Sequence, residues 1–565
     1  MTEDSPTARE TREIIREAFV EWCERFGADR PAVLDRLRQV KAVHGEIQVE
    51  DVRCVAREVR WPVAAVSGVA SFYADFAGGR RGRRHVRVCE GTSCWVATAG
   101  RHVEGLEAAL GVARGACAPD GSVSLQGVHC LGFCYASPAA LDGRQPRTGP
   151  DLGGLLRKGC TPEAAPAVPY RNAASRAVTL AGLCGEEGSW QVWPQVVAAG
   201  SPEWVLAEVA EAGLCGRGGA EFPVAAKWSA AARGAAPRYV VANGDEGDPG
   251  SYCDRLLMEC DPHRVLEGLA LAGYAIGAER GVVLVRSEYP EAVTRMRATV
   301  AGARAAGHLG ASVHGSGFDF DVEIVEGAGS YVAGEETALL HAVQGLRGAA
   351  RARPPYPASR GLGGRPTVVN NVETLAALPW IVRHGGIGYR RLGTPGESGT
   401  KLVCLSERFA RPGVYEVEFG VPLRFIVEEL GGGLREGHAL RAVQVGGPLG
   451  GFLAPDELDV PLAFGALADA GVALGHGSLV AADAGVPPVE LLRHVWSFAA
   501  SESCGACAPC GVGTRRGVEI AEPAGVDLAA QDRLLDVMAA ASLCAFGSGV
   551  SGSVRSLVRV YRDEL

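Results

Sequence analysis

The stretch from Tyr239 to Arg286, YVVANGDEGDPGSYCDRLLMECDPHRVLEGLALAGYAIGAERGVVLVR, runs from a short apolar strand through a glycine- and carboxylate-rich loop and a long helix into a second apolar strand. A strand that reads as an unbroken apolar run is buried on both faces, and two such strands joined by a helix make the βαβ unit of a parallel sheet. EAVTRMRATVAGARAAG continues the rhythm with another helix. We therefore expect an α/β multidomain protein in which residues 176–398 form a Rossmann-like domain. Its glycine-rich loops fall at the carboxyl ends of strands, where open α/β sheets bind ligands.

Four such loops surround this unit. GLCGRGGAEFPVAAKW, Gly213 to Trp228, places Arg217 and Lys227 around a glycine run that opens a helix. Bare amides at a helix N-terminus cradle phosphate, and two cations can meet a phosphate or a ring carbonyl. The loop after the first strand offers Asn243, Asp245, Glu246 and Asp248. GAGSYVAGEET adds Gly327, Gly329, Tyr331, Gly334, Glu335 and Glu336, and PTVVNNVET adds Asn370, Asn371 and Thr374. Carboxylates do not bind phosphate, but they suit ribose hydroxyls and ring amides. One glycine loop alone is more often a turn; four that converge describe a nucleotide pocket.

Working outward, 565 residues exceed one hydrophobic core, and 77 glycines ask where backbones pass close to something. Residues 1–78 read as a helical segment, with apolar residues at helical spacing through REIIREAFVEW and VRCVAREV. Residues 79–150 turn strand-like, 151–175 form a Pro/Gly/Ala-rich linker, 399–488 are β-rich with one short helix in FIVEELGGG, and 489–565 are helical again. A net charge of -9 argues against nucleic acid as a partner, and the basic run GRRGRRH reads as a solvated turn. The longest apolar stretches are interrupted well short of a membrane span, and MTEDSPTARETREI has no export signal, so we expect a cytoplasmic protein without direct membrane insertion.

Seventeen cysteines in such a chain are not a disulfide framework. CEGTSC gives Cys89 and Cys94, and CLGFC gives Cys130 and Cys134. Two glycine-bearing loops, each with a thiol pair, suit a 2Fe-2S cluster; zinc is the rival, although structural zinc prefers two-residue spacings within a pair. SCGACAPC supplies Cys504, Cys507 and Cys510, and LCAFG supplies Cys544, the pattern of a 4Fe-4S cluster, again with zinc as the alternative. Cys23, Cys54, Cys117, Cys160, Cys184, Cys215, Cys253, Cys260 and Cys404 show no ligand spacing and read as core or surface residues. His476, in GHGS, reads as a loop histidine.

On these motifs the chain resembles a known family over nearly its whole length. Residues 8–145 are similar to the small 2Fe-2S subunit of respiratory complex I, with a thioredoxin-like cluster domain behind a helical lead-in. Residues 176–565 resemble its NADH-oxidising flavin subunit, with an FMN domain, a ubiquitin-like β-grasp module and a C-terminal helical 4Fe-4S bundle. The same fusion occurs in the diaphorase subunit of NAD-reducing hydrogenase and the β subunit of NAD-dependent formate dehydrogenase. RSEYPEA, QVGGPLGGFL and LGHGSLV look most like the formate dehydrogenase group. The resemblance implies FMN contacts at Gly216, Arg217, Gly218, Lys227, Asn243, Asp245, Tyr331, Gly334, Glu335, Asn370, Asn371 and Thr374. It implies NAD(H) contacts at Phe222, Asp248, Asp254, Glu336 and Tyr356. The chemistry is then carried by FMN, with Glu335 and Glu336 as pocket carboxylates and no side chain acting as general base. The implied partner is a molybdopterin- and iron-sulfur-containing catalytic subunit or a pair of hydrogenase subunits.

The chain also departs from the family pattern. Where the family loop reads GAGF, it has Gly219, Ala220, Glu221 and Phe222, and Val224, Ala225 and Ala230 replace a threonine, a glycine and an aromatic residue. A carboxylate beside the dinucleotide puts NAD affinity in doubt. It motivates a rival reading, a non-catalytic electron relay with a decayed nucleotide pocket.

Overall fold

The computed structural model describes residues 33–157, 166–522 and 525–565; the helical stretch REIIREAFVEW, Cys23 and Cys160 lie outside them. The strands of the opening motif pair in parallel as expected. Asp321–Glu326, Arg280–Val285, Tyr239–Gly244 and Thr367–Asn371 lie side by side in that order, all parallel. Alternate residues face opposite layers: Val240, Ala242, Val283 and Val285 enter one core, and Val241, Val282 and Leu284 the other.

On the first face lies helix Pro262–Ile276, buried at every residue from Arg264 to Ile276, which explains why its sequence is apolar all round. Its glycines mark close approach. A Cβ at Gly268 would stand 2.0 Å from the Leu375 carbonyl oxygen, and one at Gly273 2.4 Å from the Phe320 ring.

The second face is covered by the helical lead-in. Helices Val33–His44, Val49–Glu58, Val63–Ala70 and Ala74–Ala77, the last preceded by Tyr73, bring Val66, Val69, Tyr73 and Phe76 into one core with Val241, Val282, Leu284 and Val325. The lead-in precedes the cysteine domain in sequence but completes the flavin-type domain in space. It also latches onto the GAGSYVAGEET loop: Ala74 N–H donates to Gly329 O (3.0 Å), and Arg38 to Gly327 O (2.8 Å).

Residues 84–148 form a separate four-stranded mixed sheet, ordered Val123–Val128, Arg84–Cys89, Ala139–Asp142, Gln145–Thr148. The third sheet, of the β-rich module, has six strands. Its edge strand, Tyr170–Asn172, comes from the stretch expected as linker and pairs in parallel with Gly413–Glu418. Buried Glu416 then accepts from the amides of Val178, Thr179 and Leu180, so this connection is anchored. Leu152–Arg157 of the same stretch is helical. FIVEELGGG supplies a helical turn at Phe425–Leu430, and a second short helix, Phe464–Asp469, was not expected because six residues are too few to show a period. Helices Pro488–Glu502, Ala508–Ala521, Leu528–Ala541 and Ala545–Val560 complete the chain. Among the described residues, no helix is long and apolar enough to cross a membrane.

Candidate functional site

Parallel pairing sets the strand ends side by side, with Asn243 in register with Asn371. Around them the four loops converge. Asn243 Nδ2 donates to Gly334 O (2.8 Å), joining the first strand to GAGSYVAGEET. Tyr331 donates from its hydroxyl to Asp248. A Cβ at Gly218 would stand 3.0 Å from Asn371 Cβ, which brings the glycine run against the last loop. Lys227 donates to Val369 O (2.9 Å) and lies 4.0 Å from Glu336; burial lowers its pKa, and Glu336 works against that. Burial also pushes Asp245 and Asp248 above the usual carboxylate range.

The residues present fit a flavin phosphate and ring. Asn370 Nδ2 is buried without a hydrogen-bond partner, a donor left for a ligand. At Gly216 an added Cβ meets nothing nearer than 3.8 Å, so the glycine run leaves room for a close ligand.

Several expected contact residues are occupied within the protein. Arg217 is buried, donating to Tyr389 Oη (2.6 Å) and Ser398 O (2.7 Å) with its guanidinium 4.6 Å from the Phe419 ring; its amide donates to Thr374 Oγ1 (2.9 Å). Asn371 caps a helix through Thr374 N–H and donates to Asp254 Oδ2 (2.5 Å). Asp254 also accepts from Glu373 N–H and is only 1% exposed, beneath the loops. Glu335 caps helix Glu336–Val343. Phe222 and Tyr356, by contrast, are 52% and 58% exposed. Glu336 pairs with Arg353 (2.8 Å), a cation the sequence reading did not single out because no motif marks it.

Glu221 occupies an unusual backbone position. Its φ is +54°, the left-handed region that favours glycine, and its side chain is exposed. A glycine suits this position because of backbone conformation.

At the first cysteine set Cys89 ends a strand, Cys94 lies in helix Thr92–Thr98, and Cys130 and Cys134 flank Gly132; all four are buried. Cys130 and Cys134 Sγ lie 3.5 Å apart, and Cys130 takes the Gly132 amide and holds φ at +67°. The Cys134 thiol and nearby Arg286 bring the Cys130 pKa down to about 7 despite burial. Cys504, Cys507, Cys510 and Cys544 line one small pocket with Val332 and Phe546. Cys507 and Cys544 each immediately precede a helix, Ala508–Ala521 and Ala545–Val560, and burial pushes the Cys544 thiol up. Both donor sets are four thiols without carboxylate or imidazole, a set that suits an iron-sulfur cluster.

Comparison with known proteins agrees. Residues 209–380 match the Nuo51 FMN-binding domain, 19–145 the thioredoxin-like 2Fe-2S ferredoxin, and 490–565 the NADH-ubiquinone oxidoreductase-F iron-sulfur binding region. The F 2 subunit of Rhizobium meliloti NADH-quinone oxidoreductase is 40% identical over 67% of this chain and 91% of its own length. The HndC subunit of the NADP-reducing hydrogenase of Solidesulfovibrio fructosivorans is 40% identical over 64% and 76%. A chain in the crystal structure of an NAD+-reducing NiFe-hydrogenase in the H2-reduced state superposes with a TM-score of 0.83 at 32% identity, covering 95% of this chain and 92% of that one. The chain therefore belongs to the F-subunit family of NADH-quinone oxidoreductase, fused to a thioredoxin-like 2Fe-2S domain, and is a flavin-dependent NADH oxidoreductase that carries FMN, one 2Fe-2S cluster and one 4Fe-4S cluster.

Proposed function

We propose that this chain passes electrons between NAD(H) at its glycine loops and a catalytic partner docked at its C-terminal bundle. One observation carries the reading: the 331–332 segment is a wall of both sites. Tyr331 touches Asp248 in the pocket, its amide donates to Glu502 Oε2 (2.9 Å) two residues before Cys504, and Val332 lines the four-cysteine cavity.

When bound, FMN supplies the exchange between the two-electron chemistry of NADH and one-electron carriers. The chain's own residues hold and orient. Gly218, Asn370 and Lys227 suit the flavin phosphate and ring, with Gly216, Arg217, Asn243, Asp245, Tyr331, Gly334, Glu335, Asn371 and Thr374 shaping the walls. Exposed Phe222 and Tyr356 stand ready to flank a base, with Asp248 and Glu336 as acceptors for the nucleotide; Asp254 acts from beneath. Cys89, Cys94, Cys130 and Cys134 hold the 2Fe-2S cluster, and Cys504, Cys507, Cys510 and Cys544 the 4Fe-4S cluster. The boundaries 79–150, 176–398, 399–488 and 489–565 are proposed as domains, with residues 33–78 assigned in space to the flavin domain.

For the partner we propose the catalytic subunit of an NAD-dependent formate dehydrogenase, supported by RSEYPEA, QVGGPLGGFL and LGHGSLV. The hydrogenase reading is the second, favoured by the superposition over 95% of the chain. Anaerobic purification of the native complex followed by formate- and H2-driven NAD+ reduction separates them. Formate activity is expected; H2 activity would replace the first partner by the second, and NADH oxidation without flavin or acid-labile sulfide would refute the reading as a whole.

A further inference from the structure

Behind the glycine loop lies a group of buried ionisable side chains that electron transfer does not use. Glu246, Cys253, Asp254 and His476 bring one ligand-type atom each within 4.8 Å of one another. His476 is only 5% exposed, and its Nδ1 makes no hydrogen bond. Nδ1 lies 3.4 Å from Glu246 Oε1, and Nε2 lies 3.2 Å from Asp254 Oδ2. The site touches the flavin pocket at two points. Asn371 Nδ2 lies 3.1 Å from His476 Nε2, and a Cβ at Gly219 would stand 3.0 Å from the Gly475 backbone.

Four such residues invite a metal, but their arrangement opposes one. A single ion takes one imidazole nitrogen, whereas here each nitrogen faces a different carboxylate. The carboxylates are also engaged: Glu246 accepts from the amides of Asp254 and Arg255 (2.9 Å each) and lies 3.2 Å from the Tyr289 hydroxyl, and Asp254 accepts from Glu373 N–H (3.1 Å). Each ring nitrogen lies within ion-pair distance of a different carboxylate, and two nearby negative charges favour the imidazolium form.

We propose that Glu246, Asp254 and His476 hold one exchangeable proton behind the flavin pocket. His476 is the positioning residue: as a cation it separates the two carboxylates, while Glu246 gains or loses the proton to solvent. Burial and Asp254 push Glu246 up to about 7 against the pull of His476. Burial disfavours the charged imidazole, yet Cys253 and Asp254 hold His476 well above its ordinary value. The other titratable groups facing the cluster have partners of their own. Asp248 accepts from the His476 backbone and bonds Tyr331; Lys401, 3.2 Å from the His476 carbonyl, is paired with Glu373; Arg286 donates to the Glu246 carbonyl (2.6 Å); the Cys253 thiol meets Cys404. Negative charge arriving in the flavin pocket then favours the protonated Glu246, so the cluster compensates charge where water is excluded.

This neighbour is a flavin only if the pocket reading holds, so the test has two arms. Infrared difference spectra of the full chain, titrated from pH 5 to 9, should show a buried carboxyl band with a midpoint near pH 7. The band should vanish in Glu246→Gln. His476→Gln should move its midpoint up by at least one pH unit, and His476→Lys should restore it in part. No such band in the wild-type chain, a midpoint unmoved in His476→Gln, or one equivalent of bound zinc would each overturn the proposal. In the second arm, NADH reduction should enlarge the band in wild type but not in Glu246→Gln; an unchanged wild-type band with flavin present would overturn the coupling. A chain purified without flavin would refute the pocket reading and leave the first arm readable.

Discussion

At the first cysteine set all four thiols are buried between domains, whereas at the second Cys507 and Cys544 remain half-exposed. The first site is enclosed by its neighbours. Cys134 O accepts from Glu407 N–H (2.8 Å), Gly132 O from Arg255 (2.8 Å), and His129, beside Cys130, meets Ser501 (2.8 Å) in the C-terminal bundle. The second site shares Val332 with the pocket wall on one side and opens outward on the other. The two sites offer the same number of thiols and differ in exposure, which gives the second set the easier contact with a docked partner. This contrast supports a main route through the C-terminal set, with the 2Fe-2S cluster as an off-path store.

The sharpest way to break this comparison is to remove one thiol from each site. Cys507→Ser should cut electron delivery to the partner by at least about 100-fold, roughly 2.7 kcal/mol, while NADH reduction of a flavin-level acceptor stays within about threefold. Cys94→Ser should be markedly milder, and equal losses in coupled assays would reject the ordering.

Exposure predicts a second contrast. A chelator with mild oxidant should bleach the C-terminal cluster about tenfold faster than the enclosed one, as expected where local opening governs access. Parallel EPR time courses decide it, and equal rates would show that half-exposed thiols confer no access.

Gly132 tests what encloses the first site. Its φ is +73°, and a Cβ there would lie 2.7 Å from the Tyr289 ring and 2.9 Å from Arg255 Cδ. Gly132→Ala should cost about 2–3 kcal/mol and loosen the 2Fe-2S domain, read as a lower midpoint in thermal unfolding and faster loss of that cluster. Gly547→Ala is the counterpart, with a Cβ 2.2 Å from Ser542 Oγ and 3.0 Å from Cys510 Cβ; it should weaken the C-terminal cluster alone.

The smallest effect is expected at Glu221, far from either cluster set in sequence. Glu221→Gly removes a left-handed non-glycine residue but frees the unfolded chain, so stability should rise by no more than about 1 kcal/mol. Because the carboxylate is exposed, the NADH KM should change less than about threefold. A tenfold fall in KM would instead revive the decayed-pocket reading.

Much of this was legible in the sequence. YVVAN, GVVLVR and PTVVNN announced the parallel sheet, because strands buried on both faces must be apolar throughout. C-x4-C, C-x3-C and C-x2-C-x2-C marked both metal sites, because each ligand pair or triplet is local in the chain. The site residues were less legible where a side chain has a choice of partners. Arg217 and Asn371 sit in the expected loops, yet one turns into the core and the other caps a helix. The Phe464–Asp469 helix was too short to declare itself.

The sequence by itself determined the longer elements, the two thiol sets and the glycine loops, because each depends on residues within a few positions of one another. Only the tertiary structure decided that the N-terminal helices complete the flavin sheet, that residues 170–172 join the module's edge, and that Tyr331 and Val332 wall two sites at once. It alone also brought His476 to Glu246 and Asp254, residues more than two hundred positions away. Such contacts arise from packing whole layers together, and an apolar helix face or a lone loop histidine carries no label for the partner it will meet.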